Sequence, residues 1–198
     1  MNIRYSILII LISVIIGGCK KNGLNQPPEE TKSINLLQNG SFEKDGVPSS
    51  SGWYFILPPN APQFWIYKYS PDVPENGGKW SLSYDSLYEE PVLMLASSID
   101  MPSIHHQYEL TFWAKSWYAN TRVQLMVVRK DNYSGWGRVV YIEDSMWTEH
   151  SIILNTNDSL YLTIPDSIRI LQVILHPGLG PLGSRGASFD NFVLKQID

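Results

Sequence analysis

Three kinds of side chain in this sequence could carry chemistry: adjacent carboxylates, histidines, and an unusual number of indole and phenol rings. Carboxylates pair at Glu89-Glu90 and Glu143-Asp144, with Glu149 close by. Glycoside hydrolysis needs two such groups facing each other across a cleft. Neighbours at a loop or strand end point opposite ways instead, so these read as solvated turn charge. No Gly-x-Ser-x-Gly elbow supports a Ser/His/Asp nucleophile. His105, His106, His150 and His176 lack the spacing of a zinc site, and His105-His106 reads as a polar turn before a strand. Cys19 is the only cysteine, which leaves the folded part without disulfide or thiol chemistry. No residue is assigned a catalytic role.

The rings are more promising, with 7 Trp and 11 Tyr in 198 residues. Strand parity sorts them, because successive side chains of a strand face opposite sides. Trp80, Leu82 and Tyr84 share one face, and the two rings are read as core. In Leu110-Thr111-Phe112-Trp113-Ala114-Lys115, the set Leu110, Phe112 and Ala114 is core-like, which leaves Trp113 and Lys115 on the opposite face. Val123, Leu125 and Val127 turn Arg122, Gln124 and Met126 outward in the same way. Leu171, Val173 and Leu175 turn Gln172 and His176 outward. The expectation is one outer sheet face carrying Trp113, Lys115, Arg122, Gln124, Gln172 and His176. Indole stacks on the apolar face of a sugar, and amides and cations bond its hydroxyls. The alternative is a face covered by loops, with Trp113 buried under Trp136 or Tyr118.

The elements that must position these residues are short strands. Ile34–Leu37, Gly52–Phe55, Gln63–Tyr67, Lys79–Tyr84, Val92–Ile99, Tyr108–Lys115, Arg122–Arg129, Arg138–Ile142, Trp147–Leu154, Ser167–Leu175 and Ser188–Lys195 alternate or run apolar between Gly, Pro and Asn turns. No long stretch has helical spacing. This pattern predicts an all-β, two-sheet antiparallel β-sandwich over residues 34–198. Residues 20–33 contain Asn22-Gly23, Pro27-Pro28 and Glu29-Glu30 with few apolar groups, and read as a tether.

The N-terminus predicts export. Arg4 precedes an apolar run from Ser6 to Ile16, then Gly17, Gly18 and Cys19. The run is too short for a transmembrane helix and has the form of a signal peptide. Ile16-Gly17-Gly18-Cys19 resembles the bacterial lipobox, which implies a signal at 1–18 and lipid on Cys19 as the first mature residue, with the tether spanning 19–33. Removing Arg4 with the signal leaves 14 Lys+Arg against 19 Asp+Glu. That acidic balance argues against nucleic acid and against broad contact with anionic lipid.

One further pattern spans the domain. Asn35-Leu36-Leu37-Gln38-Asn39-Gly40-Ser41-Phe42-Glu43, then Gly52-Trp53, Gly78-Lys79-Trp80-Ser81-Leu82, Tyr108–Lys115, Trp147–Ser151 and Ser188–Leu194 stand in order. Together they resemble the jelly-roll carbohydrate-binding modules of families 4, 9 and 22. The resemblance implies a jelly roll, core positions for Trp53 and Trp147, and a core-aromatic position filled by His150. It also implies a structural calcium held by Glu43 and Asp190. Calcium takes 6–8 oxygen ligands, and backbone carbonyls near Gly40 would complete the set. The alternative for both acids is turn chemistry, with Asp190 bonding local amides.

The expected function is a non-catalytic glycan-binding lipoprotein that holds polysaccharide at the bacterial cell envelope, with the membrane reached through the lipid on Cys19. A structural or assembly lipoprotein contacting protein is the alternative, and a polysaccharide-degrading enzyme ranks below both.

Overall fold

The computed structural model describes residues 34–56, 67–85, 94–101, 105–132, 134–157, 159–165, 168–178 and 185–198. The signal, lipobox and tether, with Cys19, lie outside the described residues, as do Gln63–Ile66, Glu89-Glu90 and the first residues of the strand predicted from Val92. The strands are β1 (Glu43–Lys44), β2 (Val47–Pro48), β3 (Tyr54–Ile56), β4 (Tyr67–Ser70), β5 (Ser81–Asp85), β6 (Met94–Asp100), β7 (Gln107–Ser116), β8 (Arg122–Arg129), β9 (Gly135–Tyr141), β10 (Thr148–Asn155), β11 (Arg169–His176) and β12 (Arg185–Gln196). One helical turn, α1 (Ser159–Leu162), precedes β11.

The strands form two five-stranded antiparallel sheets. The first has the order β10-β7-β12-β5-β4 and the second β3-β6-β11-β8-β9, with β1-β2 a separate hairpin. Apart from the β4-β5 and β8-β9 hairpins, sequence neighbours from β3 onward alternate between the sheets: β4, β5, β7, β10 and β12 belong to the first, while β3, β6, β8, β9 and β11 belong to the second. This is the predicted jelly-roll sandwich. Each sheet is polar or mixed on its outer face and apolar inside, which is why the strands alternate.

The core lies between the sheets. Leu110, Phe112 and Ala114 of β7, with Leu82, Phe189 and Leu194, meet Val123, Leu125 and Val127 of β8 and Leu171, Val173 and Leu175 of β11. At one end, four aromatic rings interlock. Phe42 lies 5.1 Å from Trp53, Trp53 5.4 Å from Phe192, and Phe192 is stacked 5.1 Å from Phe112. The indole N–H of Trp53 donates to the Asn39 carbonyl at 2.7 Å, so the ring is buried without an unsatisfied donor.

Several expectations need correction. Ile34–Leu37 forms no ladder strand; it docks through Leu36 N–H on the Leu194 carbonyl (2.7 Å) and through the Asn35 side chain on Phe192 and Leu194. Tyr84 is core as expected, but Trp80 is only half-buried, because β5 begins at Ser81, one residue past it. Trp147 is half-buried too. His150 takes the aromatic position the resemblance implied, stacked on Phe112 at 5.4 Å. The β1-β2 hairpin was not anticipated, although its Asp45-Gly46 turn, with both residues at positive φ (56° and 76°), is a strong hairpin signal.

Candidate functional site

The outer face of the second sheet is built by register. Tyr141, Arg122 and His176 lie side by side across β9, β8 and β11. The next row is Val139, Gln124, Ile174, Ala96 and Tyr54, and the one after it Gly137, Met126, Gln172 and Ser98. Arg122, Gln124, Gln172 and His176 therefore share one face, as parity predicted. Gly137 and Ala96 add little side-chain bulk to it, and Ala96, Ile174 and Gln172 at its centre are buried. Tyr141 (53% exposed) and Tyr54 (36%) stand at opposite margins as accessible rings.

Hydrogen bonds settle what the amides can do. Gln172 is 1% exposed, and its Nε2 donates to the Tyr54 hydroxyl at 2.5 Å and to Ser98 Oγ at 3.2 Å; Tyr54 and Ser98 are themselves 2.6 Å apart. Gln172 thus fixes the Tyr54 ring and the Ser98 hydroxyl instead of meeting a ligand through its amide nitrogen. Gln124 Oε1 lies 2.9 Å from His176 Nε2. Burial, reinforced by the Arg122 charge, pushes the His176 imidazole down to about 4. The ring is neutral at pH 7 and donates from Nε2 to Gln124, which orients that amide. Arg122 is the only cation in this row. At the Tyr54 margin, an open cavity of about 600 Å³ is lined by Gln38, Tyr54, Ser98, Asp100, Lys130 and Ile170, with Lys130 paired to Asp100.

Trp113 and Lys115 are elsewhere. Both belong to β7, in the first sheet, so their outer face is on the other side of the sandwich from Gln124 and Gln172. Parity had them facing outward correctly, but it does not say which sheet a strand joins. Trp113 is half-buried and covered by neither Trp136 nor Tyr118; it lines a cavity of about 650 Å³ with Asn35, Gln38, Asn76, Thr111, Glu149 and Asn191. Lys115 is 6% exposed and lines neither of the two cavities described. Its Nζ is 2.5 Å from Asp72 Oδ2 and sits 4.8 Å from the Trp147 ring and 5.2 Å from the Trp117 ring. Trp147 Nε1 donates to the other oxygen of Asp72 at 3.0 Å. A buried ammonium with a carboxylate and two ring faces is fully engaged.

Glu43 and Asp190 do converge, from opposite ends of the domain. Glu43 Oε1 accepts from Trp80 N–H at 2.6 Å and from Lys79 N–H. Asp190 Oδ1 accepts from Asn191 N–H at 2.8 Å, while its Oδ2 is buried with no partner. Burial, and then the Glu43 charge, raise the Asp190 carboxyl to about 7. A Cβ at Gly77 would stand 2.8 Å from Asp190 Oδ2, and one at Gly78 would collide with the Glu43 carboxylate. The loop is bare of side chains where the two acids meet. A buried carboxylate oxygen without a donor, facing a second carboxylate, fits a cation bound between them. Among the described residues no group of three or more His, Cys, Asp or Glu side chains clusters, so backbone oxygens would have to complete such a site.

No family profile matches the chain, and no curated protein matches it. Among solved structures, 149 chains are similar. A family 61 carbohydrate-binding module in complex with β-1,4-galactotriose is 20% identical with a TM-score of 0.52, covering 83% of this chain and 100% of that one. The CBM22-1 xylan-binding domain of a Paenibacillus barcinonensis protein is 15% identical with a TM-score of 0.53, covering 84% and 96%. The enzymatically active domain of a bacteriophage CBA120 tailspike is 15% identical with a TM-score of 0.58, covering 83% of this chain but 22% of the tailspike. The fold is that of the carbohydrate-binding jelly rolls.

Proposed function

We propose that this protein is a non-catalytic glycan-binding lipoprotein that holds polysaccharide at the bacterial cell envelope. The carrying observation is the outer face of the second sheet, where the exposed rings of Tyr141 and Tyr54 stand at opposite margins of a face bearing Gln124, Arg122, His176 and Ser98. Flat rings suit the apolar faces of pyranose units, and the oriented amide, guanidinium and hydroxyl suit their hydroxyls. Modules of this fold solved with galactotriose and described as xylan-binding support the ligand class. Against catalysis, the described face carries no carboxylate pair: Asp100 is paired to Lys130, and Glu143, Asp144 and Glu149 are exposed elsewhere. The lipobox-like run supports anchoring through Cys19.

Calcium at Glu43 and Asp190 belongs to the same proposal. When bound, it supplies the positive charge that the two acids lack. Glu43 follows the first turn of the domain and Asp190 lies in its last strand, so the ion ties the ends of the fold together.

Affinity electrophoresis of the chain against soluble xylan, β-1,4-galactan and mixed-linkage β-glucan tests the binding. Retardation by at least one is expected. Tyr141→Ala should weaken it about five-fold, because an exposed stacking ring contributes on the order of 1 kcal/mol. Its melting temperature should change little. No retardation by any of the three refutes the glycan reading.

A further inference from the structure

We propose that the Trp113 cavity is a second carbohydrate subsite, on the sheet face opposite the first, for an uncharged, hydroxyl-rich chain. The bulge between Asp190 and Val193 creates it. Asn191 sits at φ 52°, Phe192 turns inward, and its N–H donates to the Gly40 carbonyl at 2.8 Å. The segment 35–41 is thereby held beside β12 and becomes a wall, with Thr111 and Trp113 of β7 as the floor. Gly40 permits this close approach, because a Cβ there would collide with the Phe192 carbonyl. The result is an indole accessible in a cavity of about 650 Å³, ringed by the amides of Gln38, Asn76 and Asn191 and the Glu149 carboxylate.

The lining selects the ligand. It includes the exposed Glu149 carboxylate and no Lys, Arg or His, which disfavours carboxylated or sulfated chains. One ring plus several amides is too polar for a lipid or an apolar peptide and suits a sugar. Across β7, Trp113 is flanked by Glu149 of β10 and Asp190 of β12, and Glu149 is exposed and able to accept hydroxyl protons. Trp113 and Tyr141 stand on the outer faces of different sheets, so one sugar unit cannot stack on both rings. Two opposed subsites would let one molecule bridge two glycan chains. This inference rests on the glycan-binding reading, but its stacking ring, Trp113, is not one of the rings of that reading.

The test uses the purified full chain in detergent with soluble xylan, β-1,4-galactan and mixed-linkage β-glucan, read by turbidity and by calorimetric titration with hexasaccharides of each. The parent should cross-link at least one long polysaccharide and take up two hexasaccharides per molecule. Trp113→Ala should remove one of the two and abolish turbidity, leaving Tyr141-dependent binding intact. Glu149→Trp, at an exposed position beside the indole, should do the same without removing Trp113, in case Trp113→Ala misfolds. A parent stoichiometry of one, or unchanged turbidity in a folded variant, overturns the second subsite. Uptake lost in Tyr141→Ala but kept in Trp113→Ala then leaves the first reading standing. If binding depends on Trp113 alone, the assignment to the Tyr141 face fails and this one stands. A parent that binds none of the three overturns both.

Discussion

His176 and Asp190 are both displaced from their ordinary titration ranges by burial, with opposite consequences for stability. The His176 imidazole, at about 4 when folded against 6.5, is neutral in the fold. Between those values the unfolded chain binds the extra proton, so stability falls as pH drops from about 6.5 to 4. His150, also lowered by burial, adds to the same slope. Asp190, at about 7 against 3.8, behaves oppositely. Without metal its contribution is complete below 3.8 and is lost as pH rises towards 7. Calcium holds the carboxylate form and should reverse that loss. Denaturant midpoints from pH 4 to 7, in EDTA and in calcium, separate these effects. His176→Gln should flatten the acid-side loss. Asp190→Asn should remove both the metal-free decline towards pH 7 and the gain from calcium. A calcium gain that survives Asp190→Asn would mean that the ion, if bound, is bound elsewhere.

Among elements, the 74–80 loop shows most clearly how backbone decides chemistry. Gly77 N–H closes on the Pro74 carbonyl at 2.8 Å, and the loop then presents Lys79 and Trp80 N–H to Glu43. Gly78→Ala must push either Glu43 or this loop aside. The expected outcome is a loss of about 1–3 kcal/mol, the usual cost of overpacking, together with a weakened calcium response. Gly46→Ala, at positive φ but with only the flexible tip of Lys79 nearby, is the control. It should cost stability through backbone strain and leave the calcium response intact. Equal calcium responses in the two variants would separate the loop from the metal.

At the scale of the whole molecule, the sandwich is one end of a chain whose other end predicts an anchor. No helix among the described residues is long and apolar enough to cross a membrane. The proposed attachment rests on the lipobox-like run ending at Cys19. Cys19→Ser should move the protein from the detergent-soluble membrane fraction to the aqueous fraction and remove the mass of the acyl chains. Glycan retardation of the released protein should be unchanged, since the binding face is assembled entirely within residues 54–176. Membrane partitioning and mass unaltered by the substitution would end the lipoprotein reading.

Local physics made much of this legible in the sequence. Period-two alternation in 108–115, 122–129 and 169–175 is a property of each strand alone, and it assigned inward and outward residues correctly for β7, β8 and β11. The ordered motifs from Asn35 to Leu194 pointed to the jelly roll and brought Glu43 to Asp190. Tertiary structure decided which outward residues meet. The chain crosses between sheets at nearly every connection, so Trp113 and Gln124, eleven positions apart, face opposite solvents. It also decided which polar groups are free. Lys115 is spent on Asp72, 43 residues away, and on two indoles, and Gln172 on Ser98 and Tyr54, 74 and 118 residues away in sequence. Tyr141, the most exposed ring on the amide-bearing face, is not marked by parity, because its strand is an edge with little alternation to read. Parity is set by covalent geometry within a strand, whereas sheet partnership is set by the summed burial of every strand at once.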